Sequence, residues 1–216
     1  MQKVVLVHGY IRTSADMEPM QDILEKLGYD PVLVDLPLTF QPFDYGASIL
    51  EGILKGIMGD LPEGEKIHLV GHSTGGLVIR GVLADGQIRA KVGRCVLVAT
   101  PNYGSELADL AARFSDIFVD LFGTLKSIQS EQVKALEPIE SLGIEIGAIA
   151  GNNSNLALGR LLEGENDGRV TVKSVRINGL KDFIVLPYGH KDIHKQERTV
   201  YLVDKFLRTG SFHDLN

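Results

Sequence analysis

The chain has 216 residues, 44% hydrophobic and 23% charged, which is globular composition with enough length to bury one core. A formal net charge of −6 argues against a protein that grips phosphate backbones, so nucleic acid is excluded as an expected partner. A single cysteine, Cys95, excludes an internal disulfide framework and a multi-cysteine zinc site. The 24 glycines exceed the average usage of about 7% and call for many turns or close backbone approaches.

The first apolar run, Val4-Val5-Leu6-Val7, is halted by His8-Gly9. It is too short for a signal-peptide core, and no stretch reaches the roughly 18 apolar residues of a membrane span. A soluble, cytoplasmic protein with no transmembrane segment is expected. Further β-branched runs follow at Val32 to Asp35, Ile67 to Val70, Cys95 to Ala99, Ile144 to Ala150 and Phe183 to Leu186. Each ends in glycine, proline or a polar turn, and helical patterns separate them. These helices are Ala15 to Leu27, Tyr45 to Met58, Gly75 to Leu83 and Ile193 to Leu207. Near-continuous apolar runs imply a sheet covered on both faces. The pattern predicts one α/β domain over residues 1–216, with a mostly parallel sheet of about six strands and helices on both faces. Residues 104–143 break the alternation, carrying Leu107, Leu110, Phe114, Ile117, Phe118, Leu121 and Phe122. They are expected either to close the core as a pair of helices or to form a short helical cap over an apolar pocket.

Gly71-His72-Ser73-Thr74-Gly75 fits G-x-S-x-G between a predicted strand and a predicted helix. That context strains the serine backbone and lifts its hydroxyl above the sheet. Ser73 is the candidate nucleophile, and it needs a base that is itself oriented by an acid. Among the six histidines, His8 and His72 belong to turns where structural hydrogen bonding is expected, and His68 and His213 have no evident chemical context. His190 hangs in the loop after the last predicted strand and is the candidate base. His194, one turn further, is expected at the surface or as a support to the site. This histidine pair lacks the H-E-x-x-H pattern or a carboxylate cluster, so no metal is expected, and the chemistry calls for no cofactor. Asp167, in the loop Glu165 to Val170, is the candidate acid, ahead of Asp182. The amides of Tyr10, after the first strand, and Thr74, after the serine, are the candidate oxyanion donors.

These residues resemble the α/β-hydrolase superfamily, and within it the bacterial lipases and esterases. The resemblance rests on Val4 to Tyr10, Gly71 to Gly76, Thr100-Pro101-Asn102-Tyr103-Gly104-Ser105, Asn166 to Val170, and Gly189-His190 followed by Phe206-Leu207. It implies an α/β-hydrolase fold and a Ser73, Asp167, His190 triad. A first strand at residue 4 leaves out the family's frequent N-terminal hairpin, and the short 104–143 section implies a modest cap. The expected activity is cleavage of a small-molecule carboxylic ester with an apolar acyl group. Acyl transfer, or thioester or amide cleavage, would use the same triad. A non-catalytic binding module is the reading that an intact triad opposes.

Overall fold

The computed structural model describes residues 1–109, 126–154 and 156–214. Its strands are β1 (Gln2–Val7), β2 (Tyr29–Val34), β3 (Ile67–His72), β4 (Val92–Val98), β5 (Glu145–Gly151) and β6 (Asp182–Leu186). They form one sheet in the order β2-β1-β3-β4-β5-β6, with every pairing parallel. The longer helices are α1 (Glu18–Lys26), α2 (Phe43–Gly59), α3 (Thr74–Val82) and α4 (Glu197–Thr209). Among the described residues, no helix is long and apolar enough to cross a membrane.

Side chains alternate across a strand, and the two faces of this sheet build two separate apolar clusters. Val5, Val7, Leu69, Leu97 and Ala148 point to one face, against Leu50 and Leu54 of α2 and Leu77 of α3. Val4, Leu6, Val70, Val96 and Ile149 point to the other, against Met20 and Leu24 of α1 and Val200, Val203 and Phe206 of α4. The central strands are therefore buried on both faces, which is why they read as unbroken apolar runs.

Chain order reverses direction between β1 and β3, since β2 lies on one side of β1 and β3 to β6 on the other. In a parallel sheet that reversal opens a crevice beyond the strands' carboxyl ends. The loops after β1 and β3 border it.

Several element boundaries differ from the sequence reading, three of them for a clear physical reason. β2 begins at Tyr29, upstream of the apolar run, and contains Pro31, which an edge strand accommodates because its free side requires no donor. The helix expected from Ala15 is divided into a 3₁₀ turn, Ser14–Met17, and α1. Pro19 lies in the first turn of α1, where the missing N–H has no intrahelical acceptor. The helix expected from Ile193 is likewise divided into a 3₁₀ turn, Ile193–Lys195, and α4, with Gln196 extended at φ −74°, ψ 130° between them. That break carries His194 into the interior, where it is fully buried, which excludes the first of its two expected places, the surface or a support to the site. Residues 110–125 of the section read as a cap, including Leu110, Phe114, Ile117, Phe118, Leu121 and Phe122, lie outside the described residues.

Several histidines are buried. His68 Nδ1 accepts the Arg94 amide at 2.9 Å, and burial lowers its pKa to about 4. His72 Nε2 donates to the His190 carbonyl at 3.0 Å. Its ring stacks on His194, with centroids 3.8 Å apart and an interplanar angle of 22°. His194 Nε2 faces Asp16, 3.0 Å from Oδ2 and 3.2 Å from the carbonyl. Burial depresses the pKa of both rings, His72 the more strongly. Asp16 is also penalised by burial, but hydrogen bonds from His194 and Lys195 hold its carboxyl well below the usual range.

Two predictions follow from this interior. Phe206 is fully buried and its ring stacks on Phe212 at 4.8 Å. Phe206→Ala should cost about 3–5 kcal/mol in urea unfolding, and a loss below about 1 kcal/mol would contradict this packing. His68, His72 and His194 are held below the unfolded histidine pKa of about 6.5, so they bind protons in acid chiefly when unfolded. Their contribution is complete above about pH 6.5 and is lost progressively as pH falls below it, for His68 down to about pH 4, at up to about 1.4 kcal/mol per pH unit for each ring. Unfolding midpoints followed from pH 7.5 to 5.0 should drop steeply, and a flat profile would refute neutral burial.

Candidate active site

The site is built at the carboxyl ends of four strands. After β3 the chain turns straight into α3, with Ser73 between them at φ 55°, ψ −126°. The left-handed region is costly for a residue with a Cβ, on the order of 1–3 kcal/mol, and persists only where surroundings enforce it. The Ser73 amide donates to the Val98 carbonyl at 2.8 Å, which ties the turn to β4. Gly75 is required by close passage, because a Cβ there would lie 2.5 Å from the Val7 carbonyl oxygen. Gly9 likewise faces Ser73, with a built Cβ only 3.0 Å from the serine Cβ. Ile11 (φ 52°) and Ala99 (φ 50°) are also left-handed, so strained residues follow the ends of β1, β3 and β4.

Beyond β5, the loop holding Asp167 is shaped by side-chain hydrogen bonds. Asn166 Oδ1 accepts the Gly168 amide at 2.9 Å, and its Nδ2 donates to the Gly159 and Gly164 carbonyls at 3.2 and 3.0 Å. Asp167 Oδ1 accepts the Arg169 and Val170 amides at 3.0 and 2.8 Å. Oδ2 is left for His190, whose Nδ1 lies 2.8 Å away. The His190 amide donates to the Asp167 carbonyl at 2.9 Å, so the two residues are linked through backbone as well as side chain.

His190 Nε2 lies 3.0 Å from Ser73 Oγ. A carboxylate can only accept, so the tautomer assigned from these partners carries its proton on Nδ1 and turns a lone pair towards the serine. Ser73, Asp167 and His190 are all buried, with 8%, 1% and 3% exposure. The three sequence-predicted side chains are thus brought into one hydrogen-bonded row. Tyr10 borders the same cleft as Ser73. Thr74 opens α3, where a first-turn amide has no intrahelical acceptor.

The alternative acid, Asp182, starts β6 at the opposite end of the sheet. Its Oδ2 accepts the Ser211 hydroxyl at 2.8 Å and the Phe212 amide at 2.6 Å, so it anchors the C-terminal tail. His8 Nδ1 donates to the Gly9 carbonyl at 2.9 Å, and Nε2 accepts the Leu36 amide at 3.0 Å.

The sequence reading did not single out Asp16, Arg80 or the cations at the cleft. Arg80 is buried, its pKa lowered by burial to about 10. It donates to the Asn102 carbonyl at 2.9 Å, and Asn102 Nδ2 donates to the Val175 carbonyl at 2.8 Å. The only local sign of this brace was Asn102 within the Thr100 to Ser105 segment. Asp16, His72 and His194 are grouped closely enough to suggest a metal. Imidazole lone pairs lie in the ring plane, however, and rings stacked 22° from parallel aim theirs side by side. Lys195 Nζ also occupies Asp16 Oδ1 at 2.6 Å. Arg12, Arg169 and Lys191 border the cleft beside Ser73 and His190.

Comparison with solved structures gives the same fold. The mature form of the lipase BlEst2 from Bacillus licheniformis aligns with a TM-score of 0.78 at 25% identity, over 97% of this chain and 91% of that one. Its propeptide form aligns at 0.81 and 25% identity, over 100% of this chain and 51% of that one. A metagenomic carboxyl esterase aligns at 0.66 and 20% identity, over 88% of this chain and 64% of that one, a likeness of fold. No curated protein matches the sequence. A family model described as the alpha/beta hydrolase family matches residues 4–143, the stretch that holds β1 to β4 and the Ser73 turn. The chain belongs to the alpha/beta hydrolase family.

Proposed function

We propose that the chain is a serine hydrolase that cleaves carboxylic esters through an acyl-enzyme on Ser73, with residues 104–143 as a cap section on a single 1–216 domain. The observation that carries this reading is the row from Asp167 through His190 to Ser73, with contacts of 2.8 and 3.0 Å. The likeness to a bacterial lipase at 25% identity supports ester chemistry. The cap is supported by where its section sits: it leaves the sheet after β4, at the edge that carries Ser73, and returns before β5.

In this reading Ser73 Oγ attacks the acyl carbon while His190 Nε2 takes the hydroxyl proton. Asp167 holds the imidazole and stabilises the imidazolium. The Tyr10 and Thr74 amides stabilise the oxygen that becomes negative in the tetrahedral intermediate. Collapse breaks the ester C–O bond, and the leaving oxygen receives the proton from His190. Water then attacks the acyl carbon, His190 takes its proton, and the carboxylic acid departs as Ser73 regains the hydrogen.

A fluorophosphonate probe should label Ser73. Ser73→Ala should abolish both labelling and hydrolysis of 4-nitrophenyl acyl esters. His190→Gln and Asp167→Asn should each lower kcat by about 10³–10⁴-fold with the fold retained. Undiminished ester hydrolysis by the Ser73→Ala protein would sink the assignment.

A further inference from the structure

The cleft beside Ser73 is cationic in a chain whose net charge is −6. Arg12, Arg169 and Lys191 border it together with Ser73 and His190. Arg169 is half-buried. Burial is the main influence lowering its pKa, followed by the neighbouring charge of Arg12. Two guanidinium groups are thus held close enough to repel. Among the described residues no carboxylate lies within ion-pairing distance of Arg169. The acidic groups whose charge it feels are Asp167 and, more weakly, the Tyr10 phenol; the carboxylate is already engaged by His190 and two amides. Arg12 reaches Asp16 only at 3.6 Å, and Asp16 also faces Lys195 and His194. Lys191 is exposed.

Like charges gathered around a partly desolvated site are costly unless an anion joins them. The reaction sharpens the requirement, because His190 becomes an imidazolium at the same cleft. A guanidinium presents its donors in a planar fork suited to carboxylate and phosphate oxygens. Arg169 also follows Asp167 by two residues, so the turn that orients the acid places this fork next to the reacting groups.

We infer that the ester substrate carries an anionic group, a carboxylate or a phosphate, which Arg169 binds beside the scissile bond with Arg12 and Lys191 adding to the field. This rests on the ester hydrolase reading above and names the substrate class for the same site.

The test compares esters that differ in charge. For the carboxylate, mono-4-nitrophenyl adipate is compared with 4-nitrophenyl hexanoate, which has the same acyl length and leaving group. For the phosphate, 4-acetoxyphenyl phosphate is compared with phenyl acetate. At low salt the protein should favour the anionic member of at least one pair by about tenfold or more in kcat/KM, chiefly through KM. The pair that shows the preference identifies the anion. Arg169→Gln should collapse that ratio towards unity, and Arg169→Lys should keep part of it. Circular dichroism and thermal melting of each variant report whether the Asp167 turn has survived. A ratio near or below one for both pairs, or one that Arg169→Gln leaves intact while esters are still cleaved, would overturn the inference and leave the hydrolase reading standing. No cleavage of any ester together with no fluorophosphonate labelling would remove both.

Discussion

Between β3 and α3 the backbone must pass directly over the end of β1, and a side chain at Gly75 would collide with the Val7 carbonyl oxygen. That contact sets much of the site. It bends the chain sharply enough to leave Ser73 at φ 55°, it brings Gly9 against the serine, and it starts α3 inside the core, where nearly every residue is buried. A surface helix would tolerate a looser entry. Here the helix is enclosed by α2 and the sheet, so the unfavourable serine conformation cannot relax by tilting α3 away.

The second constraint is electrostatic. The His190 imidazole sits between a carboxylate and a hydroxyl, and the chain achieves this with backbone as much as side chains. Two amides occupy one oxygen of Asp167, which leaves the other for His190. His72, the residue before the serine, donates to the backbone carbonyl of His190. The turn that bears Ser73 and the loop that bears His190 are therefore joined directly. Behind them the buried ring of His194 stacks on that of His72.

Much of this was legible in the sequence. Central strands read clearly because both their faces are buried, and G-x-S-x-G between a strand and a helix indicated the sharp turn before any coordinates. Asp167 and His190 could be singled out because each follows a predicted strand in the order the chemistry demands. β2 was read too short because an edge strand carries Asp30 and Pro31, which score against strand formation. The break that buries His194 leaves no local mark, because a helical pattern can run through it: Gln196 is extended, and no glycine or proline signals the change. The left-handed Ile11 and Ala99 also gave no signal, since a β-branched residue and an alanine are poor indicators of positive φ. Tertiary packing, which no local pattern records, decides those positions.

The way the sheet is threaded has a bearing on how the chain folds. β1 is an inner strand flanked on both sides by strands later in the chain, and β6 completes the far edge. Parallel pairings of this kind close long loops before they are rewarded, which slows folding relative to helical bundles. The cleft draws on Gly9 near one end of the chain and His190 near the other. No partly assembled sheet contains both, so the cleft is complete only once the last strand has docked.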